Sequence, residues 1–338
     1  MEIGNNISLK PFNTFGIDVQ AQYFVQIDTL RDFEALQTEK IYKTAPRLIL
    51  GGGSNVLFTQ NYAGLVIKNN LRGIELTGQD DDYVWIKVCA GENWHRFVLW
   101  CVGNNYGGLE NLSLIPGCVG AAPMQNIGAY GVEIKDVCQK VFARSLEDGT
   151  EAVFSNADCH FGYRESVFKH SQKNKFFIAG VEFRLHKKPV FNTSYGAIEQ
   201  ELEAMGVKEL SIKAISDAVI RIRSSKLPDP AVKGNAGSFF KNPEVSAQKH
   251  AELKKEFEKL VSYPLDNGHF KLAAGWLIEQ CGLKGKTFGR AAVHDKQALV
   301  LVNLGNAKGD EIYHLSEEVL QAVQAKFGVT LEREVNVY

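Results

Sequence analysis

The sequence is short of the features that assign a protein quickly, and each shortage removes a class of function. Charge of one sign is missing: 38 lysines and arginines face 39 acidic residues, so no global field draws the chain to nucleic acid or to an anionic membrane. Any anionic ligand must therefore meet local counter-charges. Long apolar runs are missing as well, none approaching the ~20 residues of a membrane span, and no membrane partner is expected. The six cysteines, at positions 89, 101, 118, 138, 159 and 281, form no C-x-x-C pair and no metal-ligand spacing with the eight histidines. Most lie in apolar runs such as Trp85-Ile86-Lys87-Val88-Cys89-Ala90. Small buried hydrophobes in a reducing cytoplasm are the expectation, with no metal. The stretch Met1-Glu2-Ile3-Gly4-Asn5-Asn6 is polar and lacks the basic-then-apolar order of a signal peptide, so none is expected. No repeat or low-complexity tract is visible.

What is present is ordinary in bulk and unusual in two places. Hydrophobic content of 45% with 23% charged residues suits a soluble globular protein, and 338 residues exceed one small core, which suggests two or three domains. The most informative stretch is residues 115–131 (IPGCVGAAPMQNIGAYG), which is apolar, glycine-punctuated and matches neither helical nor strand periodicity. Such a segment suits backbone pressed against a ligand, because Gly117, Gly120, Gly128 and Gly131 permit positive φ and let N–H groups approach closely. A second stretch, Gly51-Gly52-Gly53-Ser54-Asn55, follows the apolar run Leu48-Ile49-Leu50. It has neither G-x-G-x-x-G spacing nor a Walker lysine, so alone it reads equally well as a tight turn. Together the two suggest a large phosphate-bearing cofactor held mainly by backbone.

Around these segments the pattern alternates between strands and helices. Strands are expected at residues 23–27, 48–50 and 64–67, with Thr29 capping a helix over 30–37. Two more strands flank the acidic tip Asp80-Asp81-Asp82, read as a solvated hairpin end, and Asn93 opens an amphipathic helix. Residues 137–145 and 176–186 read as strands, with a hairpin turn at Asp148-Gly149. Ser216 is expected to cap a helix that stops before Leu227-Pro228-Asp229-Pro230, where two prolines mark a linker. Beyond it, a helix is expected over 271–281, a buried strand over 298–304, a long helix over 310–327 closed by Gly328, and a final strand over 329–338. The class is α+β rather than regularly doubly wound.

The two glycine stretches, with Pro11-Phe12-Asn13-Thr14-Phe15-Gly16 ahead of them, resemble the UDP-N-acetylenolpyruvoylglucosamine reductases. The likeness continues through Gly162-Tyr163-Arg164-Glu165-Ser166, Lys226-Leu227-Pro228-Asp229-Pro230, Gly237-Ser238-Phe239-Phe240-Lys241-Asn242-Pro243 and Ala274-Gly275-Trp276-Leu277, so it spans nearly the whole chain. The resemblance implies a vanillyl-alcohol-oxidase-type, PCMH-like fold that clamps FAD between two α/β parts. Residues 1–69, joined by the closing strand 328–338, would form the first part and residues 70–227 the second. Residues 228–327 would form an α/β substrate domain of the longer type I form. It also implies non-covalent FAD, NADPH as co-substrate and UDP-N-acetylglucosamine-enolpyruvate as substrate, in a cytoplasmic enzyme expected to be a monomer. A sugar or sugar-acid oxidase on the same fold, and a non-catalytic nucleotide-binding protein, remain alternatives.

Carried over residue by residue, the resemblance implies a division of labour. FAD would be held near Gly51, Gly52, Gly53, Ser54 and Asn55, and by Pro116, Gly117, Gly120, Ala121, Gln125, Asn126, Gly128, Ala129, Tyr130 and Gly131. Arg164 would pair with the substrate carboxylate, since a guanidinium matches it bidentately and stays charged. Ser238 would deliver a proton, a task a weak acid can perform only toward a strongly basic carbon in fixed geometry. Glu334 would assist Arg164. Glu332 lies two residues away and would share its face on a strand, so spacing alone does not separate them. Tyr163 would position Arg164, and Tyr195, Lys226, Asn242, Lys284 and Gln297 would meet the nucleotide-sugar.

Overall fold

A computed structural model describes all 338 residues. Contacts divide the chain into a larger unit, Met1–Ile7, Ala21–Gly52 and Ala63–Ser225, and a smaller one, Ser8–Gln20, Gly53–Tyr62 and Lys226–Tyr338. Short stretches on either side of residues 21–52 group with the C-terminal third.

The larger unit is built on two main sheets. One has the order Ile3–Ser8, Gln20–Ile27, Tyr62–Asn69, Arg47–Leu50, and its last two strands run parallel. Tyr62–Asn69 is buried continuously from Gly64 to Ile67, as a strand covered on both faces must be. The other sheet is antiparallel, in the order Glu151–Ser155, Cys138–Ser145, Phe176–His186, Tyr83–Cys89, Ile74–Gln79. In Tyr83–Cys89 the alternation turns Val84, Ile86 and Val88 inward, into a core shared with Trp94, Phe97 and Phe183. Those three rings pack edge-on or tilted with centroids 5.2–6.1 Å apart, and burying each contributes about 1.5–3 kcal/mol.

Local signals set most boundaries. Thr29 and Asp32 form a reciprocal capping box before the helix Leu30–Thr38, and the Asn93 side chain accepts from the Arg96 amide to open Trp94–Gly103. The acidic tip is a hairpin end in which Asp80 accepts from the Asp82 and Tyr83 amides. Four of the six cysteines are buried and Cys89 and Cys281 are half-buried; all are free thiols, and burial pushes that of Cys159 up to about 12.

Three expectations are corrected. Ser216 lies inside the helix Ile212–Lys226, fully buried, and shares a 2.8 Å hydrogen bond with Ser113. The residue that accepts from the first-turn amide of Ala214 is Ser211, because the apolar face of the helix begins at Ile212, four residues ahead of Ser216. Residues 271–272 belong to the strand Phe270–Leu272, and the helix runs only over Ala274–Gln280, since Asn242 Oδ1 takes the Ala274 amide and fixes the start. The final strand shrinks to Asn336–Val337, parallel to Val56–Leu57. Residues before it run irregularly along Phe239–Lys241, joined by a single bridge between Phe240 and Arg333.

The smaller unit is built on the antiparallel sheet Asn235–Ser238, Val300–Asn303, Ala291–Val293, Thr287–Phe288. The long helix Gly309–Phe327 buries Ile312, Leu315, Val319, Val323 and Phe327 at helical spacing. It ends on Gly328 at φ +61°.

Candidate active site

In the larger unit the two glycine stretches meet. A Cβ on Gly52 would stand 2.8 Å from Gly117 Cα, so the segments touch as bare backbone, and Gly51 lies beside Cys118 and Ala121. Gly120 packs the second segment against Ala90 in the same way. The run itself folds as the 3-10 turn Val119–Met124 followed by a small hairpin, Gly128–Ala129 with Val132–Glu133. Tyr130 and Gly131 form its two-residue loop at φ +50° and +78°, the left-handed pair that such a turn needs. The aperiodic sequence pattern is thus explained by turns rather than disorder.

This hairpin anchors the arginine. Mutual backbone bonds between Gly162 and Glu165 close a tight turn with Tyr163 and Arg164 at its tip. Arg164 is held at φ +56°, a conformation costly for a bulky side chain. Its Nη2 donates to the Gly128 carbonyl at 2.8 Å, and the guanidinium lies 5.3 Å from the Tyr163 ring. Asn126, fully buried, locks turn to segment: its Nδ2 donates to Gly162 O and Glu133 Oε2, both at 3.0 Å, and its Oδ1 accepts from the Lys135 amide. Tyr195 is exposed and stands edge-on to Tyr130 with centroids 5.3 Å apart.

Two cations here were not foreseen. Arg223 of the helix Ile212–Lys226 donates to the Leu114 carbonyl. Burial, with a smaller contribution from the Arg164 charge, pulls its guanidinium below the usual range, while Tyr130 acts in the opposite sense. Its signal was a charged residue directly after the buried Ile222, at helical spacing from the buried Ile215 and Val219. Lys68, in the strand Tyr62–Asn69, donates to Gly51 O at 2.7 Å; nothing in the sequence around it marks it out.

In the smaller unit Ser238 ends the strand Asn235–Ser238, exposed, just after Gly237 at φ +69°. Asn235 shapes this turn by donating to Pro228 O and Lys233 O and accepting from the Gly237 amide. The Glu334 amide donates to Phe239 O at 2.8 Å, so the structure brings Glu334 alongside the residue next to Ser238. It also separates the two carboxylates: Glu332 takes the buried Lys241 ammonium at 2.6 Å. Arg333, between them, turns to Ser316 and Glu317 on the long helix. Asn55 Nδ2 donates to Glu334 O. Gly53, at φ +63°, has its Cα against the Phe12 carbonyl, where a Cβ would come within 1.9 Å. Bulk at Gly53 would therefore strike protein backbone first. Lys226 is exposed, whereas Lys284 pairs with Glu279 at 3.0 Å, Asn242 caps the helix Ala274–Gln280, and Gln297 accepts from the Leu299 amide.

Comparison with known proteins agrees over the full length. Residues 229–338 match the family described as UDP-N-acetylenolpyruvoylglucosamine reductase, C-terminal domain, and residues 22–153 match FAD binding domain. The chain is 52% identical to the UDP-N-acetylenolpyruvoylglucosamine reductase of Chromobacterium violaceum, covering 97% of each chain. It is 49% identical to that of Flavobacterium johnsoniae, covering 100% of both. Among solved structures, UDP-N-acetylenolpyruvylglucosamine reductase from Thermus caldophilus superposes with a TM-score of 0.68 at 24% identity, over 100% of this chain and 98% of that one. The 6-hydroxy-D-nicotine oxidase of Arthrobacter nicotinovorans reaches 0.54 at 11% identity, over 97% and 86%, a likeness of fold alone.

Proposed function

The chain belongs to the UDP-N-acetylenolpyruvoylglucosamine reductase family, and from that premise we propose how its residues share the work of the reaction. It is an FAD-dependent oxidoreductase of peptidoglycan precursor synthesis, reducing UDP-N-acetylglucosamine-enolpyruvate to UDP-N-acetylmuramate with NADPH. The residues present fit a dinucleotide: bare backbone at Gly52 and Gly117, which a Cβ would fill, beside the half-buried Lys68 ammonium. FAD, when bound, supplies the hydride relay between NADPH and the β-carbon of the enolpyruvyl ether.

The remaining tasks fall to side chains. Arg164 binds the substrate carboxylate and stabilises the enolate-like charge that develops on it; Glu334 assists by hydrogen bonding to the same group. Ser238 delivers the proton to the α-carbon. Tyr163 supports Arg164 through its ring, and Lys226 and Tyr195 meet the diphosphate. Asn242, Lys284 and Gln297, each already bonded within the protein, shape the residues around the nucleotide-sugar. NADPH and substrate take turns at one face of the cofactor, giving ping-pong kinetics. Residues 228–327 serve the substrate, and the enzyme works as a cytoplasmic monomer. Full-length relatives that are reductases leave the oxidase alternative without support.

The observation that carries the Ser238 assignment is its seat: an exposed hydroxyl behind a left-handed glycine, with Glu334 bonded to the next residue. Stopped-flow absorbance of the Ser238→Ala protein tests it. NADPH should reduce the flavin at close to the normal rate, and reoxidation by the enolpyruvyl substrate should slow by at least ~10²-fold, as for loss of a positioned acid. Equal slowing of both phases would make Ser238 structural, and normal reoxidation would move the proton to Glu334 or water.

A further inference from the structure

The Gly51 carbonyl is not left to solvent. Lys68 Nζ donates to it at 2.7 Å and to the Asn69 carbonyl at 3.3 Å. The Leu50 and Lys68 positions are register partners in the parallel pair, so the lysine emerges beside the end of the strand that feeds the glycine turn. Cys118, from the second glycine segment, and Arg72 are close enough to feel its charge. The ammonium therefore sits at the junction where Gly51 adjoins Cys118 and Gly52 adjoins Gly117.

Peptide geometry turns this contact into a directional device. In a planar trans peptide the carbonyl of one residue and the N–H of the next point in opposite directions. Pinning Gly51 O onto Lys68 thus aims the Gly52 N–H away from Lys68. That N–H has no acceptor within the protein. The cation also polarises the peptide it binds, which strengthens the opposite N–H as a donor.

We propose that Lys68 is a positioning residue for the dinucleotide cofactor: it fixes the Gly51–Gly52 peptide so that its N–H faces the FAD diphosphate, and it places a positive charge behind that donor. The inference rests on the reading that the two glycine segments hold FAD. Desolvation holds the ammonium below the usual lysine range, as for a cation partly withdrawn from water, and an anion bound beside it would act in the opposite sense.

The test is FAD affinity, measured by quenching of flavin fluorescence when FAD is returned to apoprotein, for the unaltered chain and for Lys68→Met, Lys68→Gln and Lys68→Arg. Lys68→Met should weaken binding by roughly 10- to 100-fold, the range for a hydrogen bond to a charged group. Lys68→Arg, which keeps both donor and charge, should stay within a few-fold of the unaltered chain, and Lys68→Gln should fall between. Melting of each apoprotein is followed in parallel; should the Met variant not fold, the Gln and Arg variants carry the comparison. Binding by Lys68→Gln equal to that of the unaltered chain would remove the role of charge, and equal binding by all three variants would overturn the proposal. Failure of the unaltered chain to bind FAD would instead sink the reading of the glycine segments.

Discussion

Asn126 in the larger unit and Asn235 in the smaller one do matching work by different routes. Both are buried, both use the whole side-chain amide on three hydrogen bonds, and each shapes the backbone behind a candidate catalytic residue. Asn235 reaches only local partners, Pro228, Lys233 and Gly237. Asn126 instead ties the hairpin to Gly162, 36 residues further along, from a left-handed backbone at φ +46°. Ser238, the proposed proton donor, is thus seated by a local turn and a sheet register, whereas Arg164 is seated by a long-range clasp that also holds strained backbone in place.

The sharpest way to break that comparison is to remove both clasps. Asn126→Ala should be the more damaging, costing roughly 2–4 kcal/mol in urea unfolding, because it leaves buried groups unpaired and puts alanine in a left-handed conformation. Asn235→Ala, with no such strain, should cost about 1–3 kcal/mol. Catalysis should fall in both. A larger loss of stability from Asn235→Ala would show that the local turn, not the clasp, is the critical support.

A smaller effect isolates the strain at Arg164. Arg164→Gly and Arg164→Ala both remove the guanidinium, so both should lose substrate reduction by ~10²-fold or more. They differ only in backbone: glycine accepts φ +56° freely and alanine does not. Thermal melts should place the glycine variant about 1 kcal/mol above the alanine variant. Equal stability would mean that the turn relaxes without the side chain, and that the conformation is not imposed by its surroundings.

The same contrast explains what could be read in advance. Elements whose causes are local were legible: the Thr29 cap, the Asn93 cap, the Asp148-Gly149 turn and the stop at Lys226 all appear where the sequence placed them. The Gly237 turn before Ser238 is of this kind. Ser216 failed because a serine near a helix start looks the same whether it caps the helix or bonds Ser113 in the core. Arg223 and Lys68 were missed for a related reason, since each owes its role to carbonyls far away in the chain, Leu114 and Gly51. Arg164 was picked out only by resemblance, and no periodicity announces its positive φ.

His294 tests the smaller unit at the point where its polar groups are not satisfied, and its effect should be the smallest. Its ring is buried and neither nitrogen has a hydrogen-bond partner; Asp295 Oδ1 lies 3.0 Å from Nδ1 without the geometry of a bond. Burial holds the imidazole below its usual range, Lys233 and Lys296 act in the same direction, and Asp295 and the Lys226 backbone oppose them. The folded chain therefore keeps His294 neutral where the unfolded chain, titrating near ~6.5, already binds a proton. Its contribution to stability is complete above that pH and is lost as pH falls through the depressed folded value. Thermal melts at about pH 7.5 and about pH 5 should show the unaltered chain losing a few degrees more than His294→Leu, which has no proton to take up. An equal loss in both would mean that the imidazole finds a partner on protonation, with Asp295 and the Lys226 backbone the groups that favour the charged ring, and that this unit is as fully satisfied as the Asn235 turn suggests.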